Sequence, residues 1–246
     1  MQTQIVKLLA AGAVAATLLS GCIVIDLKGC GFETVKGSGK VVSETRPVDR
    51  FDSIKLEGQG NVIINKGEVQ SLVIRADDNI IPHIETIVRN KKLIISHDKK
   101  NLRPTTLKLV ITTNALKSAS IAGSGEIKGN SHFVSENFYA EISGSGRIDL
   151  DLESTRLESV ISGSGSIYLS GLTDHHRTMI TGSGKISAFD MHAKSASVSI
   201  TGSGNCLLTA SDQLSARISG SGDTLYRGYP RIDKTITGSG NVKSLN

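Results

Sequence analysis

The tripeptide Gly-Ser-Gly recurs at 123–125, 144–146, 163–165, 182–184, 202–204, 220–222 and 238–240, with steps between starts of 21, 19, 19, 20, 18 and 18 residues. Self-similarity at a period near 20 marks a repeat architecture, and no other feature of this chain constrains its fold as tightly. Two residues before each first glycine stand Ile121, Ile142, Ile161, Ile180, Ile200, Ile218 and Ile236. The position between is small and mostly hydroxylated, from Ala122 to Thr237. Two residues after each last glycine come Ile127, Ile148, Ile167, Ile186, Cys206, Thr224 and Val242. Polar and apolar residues alternate with period two on both flanks. Each copy therefore reads as two short strands with one buried face.

Two architectures bury such faces. In an antiparallel meander, Gly-Ser-Gly closes a hairpin; in a parallel β-helix, it is the corner of a coil that stacks on the next. The coil is favoured because equivalent positions carry like residues repeat after repeat, and because 18 to 21 residues suit one solenoid turn. Glycine suits a corner where φ is positive and successive backbones crowd. The middle serines, Ser124 through Ser239, then form a ladder at about 4.8 Å spacing. Earlier copies stand at Gly37-Ser38-Gly39 and Gly58-Gln59-Gly60, and the 65-residue step from Gly58 to Gly123 has room for three coils. The expectation is a domain over 37–246 of about ten coils, a rod roughly 50 Å long.

Composition agrees with this. The 246 residues include 26 glycines and no tryptophan, with only 9 phenylalanines and tyrosines together, so the core must come from Ile, Val, Leu and Ala. At 38% hydrophobic and 21% charged, the chain is too apolar for disorder. Glycine does not recur every third residue, which excludes collagen. In the Ile column, Cys206 reads as a small buried hydrophobe.

The first 22 residues, MQTQIVKLLAAGAVAATLLSGC, read as an export signal. Lys7 supplies a positive start and Leu8–Leu19 an apolar run of twelve, too short to span a bilayer and right for a signal-peptide core. Leu19-Ser20-Gly21-Cys22 resembles the lipobox of bacterial lipoproteins. Residues 1–21 are then removed, Cys22 receives the lipid, and 22–36 form a lipidated tether. Several acyl chains anchor far more durably than one. Ile23, in place of an aspartate, favours the outer membrane of a Gram-negative envelope. Cys30 and Cys206 carry no spacing pattern that demands a disulfide.

With 28 basic and 23 acidic residues the formal net charge is +5, but the two signs are interspersed. Clustered cations with stacking aromatics are lacking, so nucleic acid is not an expected partner. Membrane through Cys22 and a glycan or other envelope component are.

The text before the regular repeats carries a family resemblance. GSGKVVSETRPVDRFDSIKLEGQGNVIINKG at 37–67, ADDNIIPHIETIVRNKKLIIS at 76–96 and LRPTTLKLVITTNALKSASIAGSGEI at 102–127 are similar to the head GIN domain of autotransporter-type adhesins. The matching marks are Arg46-Pro47 with Phe51 and Ile54, Gly58-Gln59-Gly60 with Gly67, and Asp78-Asn79 before Ile80. The resemblance spans about 37–246. It implies a right-handed parallel β-helix, often on lipoproteins, and an adhesive role, and it supplies no catalytic residues. After Gly240 only NVKSLN follows, so no outer-membrane barrel is expected there.

A β-helix can also be a polysaccharide-cleaving enzyme, whose site needs carboxylates on adjacent coils with a cation nearby. Stacking places Glu126 beside Arg147 and Lys128 beside Asp149, opposite charges rather than an acid pair. Asp149, Asp151 and Glu153 share one strand face and read as a polar surface. Asp174-His175-His176-Arg177 is the densest polar cluster; adjacent histidines on a strand face opposite ways, so it reads as a solvated corner rather than a chelate. The Gly-Ser-Gly copies lack the Lys-Ser/Thr of a phosphate loop. No catalytic residue, metal or cofactor is expected. The reading is a non-catalytic, lipid-anchored envelope adhesin or binding module; the alternatives are a polysaccharide-active β-helix enzyme or a structural envelope protein.

Overall fold

The computed structural model describes residues 34–98 and 100–246. The expected signal peptide at 1–21, the expected lipidation site Cys22, and Cys30 lie outside the described residues, as does most of the 22–36 segment.

The late repeats stack as parallel coils. Strands β11 (Glu126–Gly144), β12 (Arg147–Gly163), β13 (Ser166–Gly182), β14 (Lys185–Gly202) and β15 (Asn205–Gly220) follow one another in chain order and in space, each pairing parallel with the next. Gly144, Gly163, Gly182, Gly202 and Gly220 lie in register, as do Ile142, Ile161, Ile180, Ile200 and Ile218. A meander would have paired these strands antiparallel. The solenoid reading therefore holds, with like residues stacked on like.

Each coil bends again between its glycine corners. In β12 the burial alternation runs through Ile148, Leu150, Leu152 and Ser154, then slips at the two exposed residues Thr155 and Arg156, and resumes at Leu157, Ser159 and Ile161. A coil thus has a second corner, where the ladder skips Glu136, Thr155 and Asp174, and most coils shift register once more in their first half, as at Lys128/His132 and Ala188/His192. The first corner depends on glycine for two reasons. Gly163 has φ +125, and a methyl group there would sit 2.5 Å from the Gly144 carbonyl oxygen of the coil below. At Gly165 a methyl group would meet Ile142 Cγ2 at 2.6 Å and the Gly146 oxygen at 2.9 Å. The Ser164 N–H donates to the Gly144 oxygen at 2.9 Å, while the Ser164 side chain is exposed.

The 65-residue step does not form three more coils. Strand β3 (Ser53–Gly58) pairs directly with β10 (Ser118–Gly123), Gly58 opposite Gly123, so Gly58-Gln59-Gly60 is the corner immediately below 123–125. The intervening chain spreads sideways instead. Strand β5 (Ser71–Asp77) lies antiparallel between β2 (Val41–Arg46) and β9 (Leu107–Thr113), and β9 runs parallel to β4 (Asn61–Lys66), the continuation of the Gly58 coil. Strand β6 (Ile84–Arg89) lies antiparallel to β7 (Lys92–His97), which pairs with β3. The described chain has about seven solenoid turns rather than ten. Antiparallel returns take up the missing length.

Gly37-Ser38-Gly39 is likewise no coil corner. It joins β1 (Thr34–Lys36), which pairs with β8 (Asn101–Arg103), to β2, and the Asp77-Asp78-Asn79 run fastens it. Asp78 accepts from the Ser38 hydroxyl at 2.6 Å, and Asn79 accepts from the Ser38 N–H at 2.9 Å. Buried Asp77 accepts from the Gly39 N–H at 2.8 Å and from the Thr105 hydroxyl at 2.6 Å. That hydroxyl bond leads the set that holds its carboxyl down to about 2. Arg46 donates to the carbonyls of Ile81 and Ile84, tying β2 to the 3-10 turn Ile81–His83. These family marks are the fastenings of the head.

At the other end, β16 (Asp223–Arg227) continues the stack, followed by β17 (Arg231–Gly238) and β18 (Asn241–Ser244). Among the described residues β17 pairs only with β15, and β18 only with β16, so both leave one edge open there.

Candidate functional site

The second corner creates a surface trough. Small residues Ser135, Ser154, Thr173, Ala193 and Ala210 stack in register there and let the backbone bend inward. They form the floor of an open groove of about 700 Å³ that crosses the coils. On one side Val134, Glu153, Leu172 and His192 stack in register. On the other, Glu136, Asp174 and Lys194 follow the floor residues, and Tyr229 stands at the C-terminal end. Val134 is 60% exposed, Leu172 53% and Tyr229 89%, so the groove offers apolar surface to solvent. The Ser154 hydroxyl donates to Thr173 Oγ1 at 3.2 Å along the floor.

Three carboxylates line this groove from three consecutive coils, an arrangement that column-by-column reading of the sequence did not reveal. No two of them are in direct register. Glu153 lies across the floor from Glu136 and Asp174, and Lys194 Nζ is 2.7 Å from Asp174 Oδ1. The hydrogen bond from Lys194 holds the Asp174 carboxyl below its usual range. Among the described residues no three His, Cys, Asp or Glu are grouped so as to hold a metal ion.

A second groove of about 590 Å³ lies on the far side of the corner ridge, with Lys117, Arg156 and Arg177 against Glu158. The two faces of the ridge therefore carry opposite charge balance.

The Asp174–Arg177 cluster divides between surface and core. Asp174 and His175 sit on the corner, where His175 Nδ1 lies 2.7 Å from Ser195 Oγ. His176 points inward and is buried, in a column with Phe138, Leu157, Ala196 and Leu214. Its Nε2 is 3.0 Å from Ser159 Oγ and 3.3 Å from Thr178 Oγ1. Burial pushes its pKa down to about 4, so the ring is neutral at pH 7. The two histidines do face opposite ways, but only one is solvated. Cys206 is fully buried in the Ile column, and burial pushes its thiol up to about 12. Above it in that column, Thr224 Oγ1 is buried without a hydrogen-bond partner.

The expected charge neighbours are in place. Arg147 lies opposite Glu126, with 3.6 Å between Nε and Oε1, and reaches Asp149 at 3.6 Å; its guanidinium also stacks 3.9 Å from the Tyr168 ring. Lys128 is in register with Asp149. Asp151 is 3.1 Å from His132 Nδ1 and accepts from Ser170 at 3.2 Å, so Asp149 and Asp151 are partnered on the polar face while Glu153 lines the groove. The groove itself went unread in the sequence. Its available signal was the slip in alternation at the middle of each repeat, together with apolar Val134 and Leu172 at outward positions.

A family model described as "Putative auto-transporter adhesin, head GIN domain" matches residues 50–230. The chain belongs to the head GIN domain family. Among solved structures it is similar to a "putative adhesin" from Bacteroides fragilis, at 26% identity over 86% of this chain and 100% of that one, with a TM-score of 0.82. A "putative lipid binding protein" from Parabacteroides distasonis is similar at 25% identity, over 87% of this chain and 100% of that one, with a TM-score of 0.75. An adhesin-named structure from Parabacteroides merdae, at 24% identity and a TM-score of 0.72, covers 87% of this chain and 100% of its own and shares the fold. No curated protein matches the sequence.

Proposed function

We propose that this head GIN protein is a non-catalytic adhesin of the cell envelope, held at the outer membrane by acyl chains on Cys22, that engages a glycan or other envelope component through the groove. The observation that carries the reading is the groove itself: about 700 Å³ of open trough with Val134, Leu172 and Tyr229 exposed within it. Apolar side chains gathered in a concave, polar-rimmed surface are the ordinary mark of a binding site. Family members named as adhesins and as lipid-binding support a binding role over a catalytic one.

Binding is checked with the full-length chain on a panel of purified envelope and extracellular polysaccharides. The wild type binds at least one member, and a Leu172→Asp, Tyr229→Ala variant binds it about tenfold more weakly at unchanged thermal unfolding. Equal binding by both refutes the groove. New reducing ends released by the wild type and lost in Glu153→Gln establish the enzyme instead, the reading that three carboxylates in one groove would favour. Cys22→Ser leaves an unprocessed or soluble species; unchanged labelling by radioactive palmitate refutes the anchor.

A further inference from the structure

The lining of the groove repeats with the stack. Val134, Glu153, Leu172 and His192 are in register on consecutive coils, so a side chain returns at the same place about every 4.8 Å along the axis, apolar and polar in turn. A ligand that uses them all is a linear polymer with one unit per coil. An extended peptide advances about 3.3 Å per residue and turns alternate residues away, so it falls out of step within two coils. A β-1,4-linked pyranose chain advances by close to one coil spacing per ring and turns successive rings over, in step with a wall that alternates apolar Val134 and Leu172 with polar Glu153 and His192. An acyl chain would leave the carboxylates of the walls and the hydroxyls of Ser135 and Thr155 without partners on covering them.

Charge narrows the choice further. The groove carries Glu136, Glu153 and Asp174 against Lys194, three carboxylates to one ammonium. This field repels uronate, sialate and phosphate-bearing chains and offers acceptors to a neutral ligand's donors. An acetamido substituent fits both kinds of wall group: its N–H donates to a carboxylate such as Glu153, and its methyl packs on Val134 or Leu172. Tyr229, projecting at the end of the groove, presents a face on which a sugar ring can stack.

We infer that the groove binds a neutral, extended β-1,4-linked N-acetylhexosamine chain laid along the solenoid axis, with one sugar per coil. This rests on the groove being the binding surface. The test is calorimetric titration of the full-length chain with β-1,4-linked N-acetylglucosamine oligomers, from the disaccharide to the hexasaccharide. Affinity rises with each added sugar, and Tyr229→Ala and Glu153→Gln each weaken the hexasaccharide about tenfold without changing thermal unfolding. A plateau at the disaccharide, or tighter binding of an oligogalacturonate of equal length, overturns the assignment. A fluorescent fatty-acid probe that occupies the groove and is displaced by Leu172→Asp also overturns it, while leaving the groove as a binding surface. Silence of the oligomers and the fatty-acid probe, with polysaccharide binding unaffected by groove variants, overturns both.

Discussion

His176 holds a titratable ring in the core. Its neighbours along the stack are Leu157 and Ala196, its ring is buried, and two hydroxyls from Ser159 and Thr178 are its named partners. The folded ring takes a proton only near pH 4, whereas the unfolded chain takes one near 6.5. Between those values the unfolded state binds more protons, so this contribution to stability is complete above pH 6.5 and falls as pH drops toward 4. The gap corresponds to about 3 kcal/mol. In urea titrations at pH 7.5 and 4.5, the wild-type midpoint is expected to drop on acidification and the His176→Leu midpoint to drop markedly less. An equal drop in both would place the acid sensitivity elsewhere. Asp77 acts in a lower window: its depressed pKa stabilises the fold above about 3.8 and that contribution is lost as pH falls through about 2. Two neighbouring histidines on opposite faces were legible from strand geometry alone. That His176 faced the core was not, because the register of a strand depends on where its coil bends.

At the scale of the element, the Gly-Ser-Gly corner separates two roles that the tripeptide mixes. Both glycines are steric necessities and the serine is not. Gly163→Ala and Gly165→Ala are each expected to destabilise by about 2 kcal/mol or more, the first through its positive φ and both through collision with the coil below. Ser164→Ala, whose backbone bond survives, should stay within about 0.5 kcal/mol. Urea midpoints of the three variants decide it; a Ser164→Ala loss equal to that of the glycines would make the serine ladder structural. The corner was readable because it repeats seven times with its Ile column. The second corner repeats as faithfully but in changing residues, Glu136-Asn137, Thr155-Arg156, Asp174-His175 and Lys194-Ser195, since outward bend positions are held by solvent rather than by packing.

The two ends of the molecule are finished differently. The head closes the first coil with antiparallel strands and a bonded Asp77-Asp78-Asn79 latch, whereas β17 and β18 leave open edges. Lys234 lies in register with Ala216, below which Val198, Thr178, Ser159 and Ala140 are all core positions. A charge in a core column is a guard against end-to-end stacking, and Arg231 and Asp233 flank it. Ile232, in the Leu214 column, is 40% exposed, so the apolar layer a partner would cover is already present. Replacing Lys234→Val with Asp233→Thr is therefore expected to shift the protein to larger species with rising concentration in analytical ultracentrifugation. No shift relative to wild type would mean the edge is protected by something other than charge.

The amino-acid order alone sets the period, the glycine corners, the stacked Ile columns and the scarcity of aromatics, because each follows from local alternation and from like packing on like at one coil's distance. It also determined that Cys206 is a core residue, since its column says so. The folded chain alone shows that 37–39 is a latched turn and that 58–60 sits directly under 123–125. It also decided that the long step between them is a head of antiparallel strands, pairings made across tens of residues and marked by no spacing. The groove belongs to the same class. Its walls come from successive coils and its depth from a bend, so no single repeat contains it.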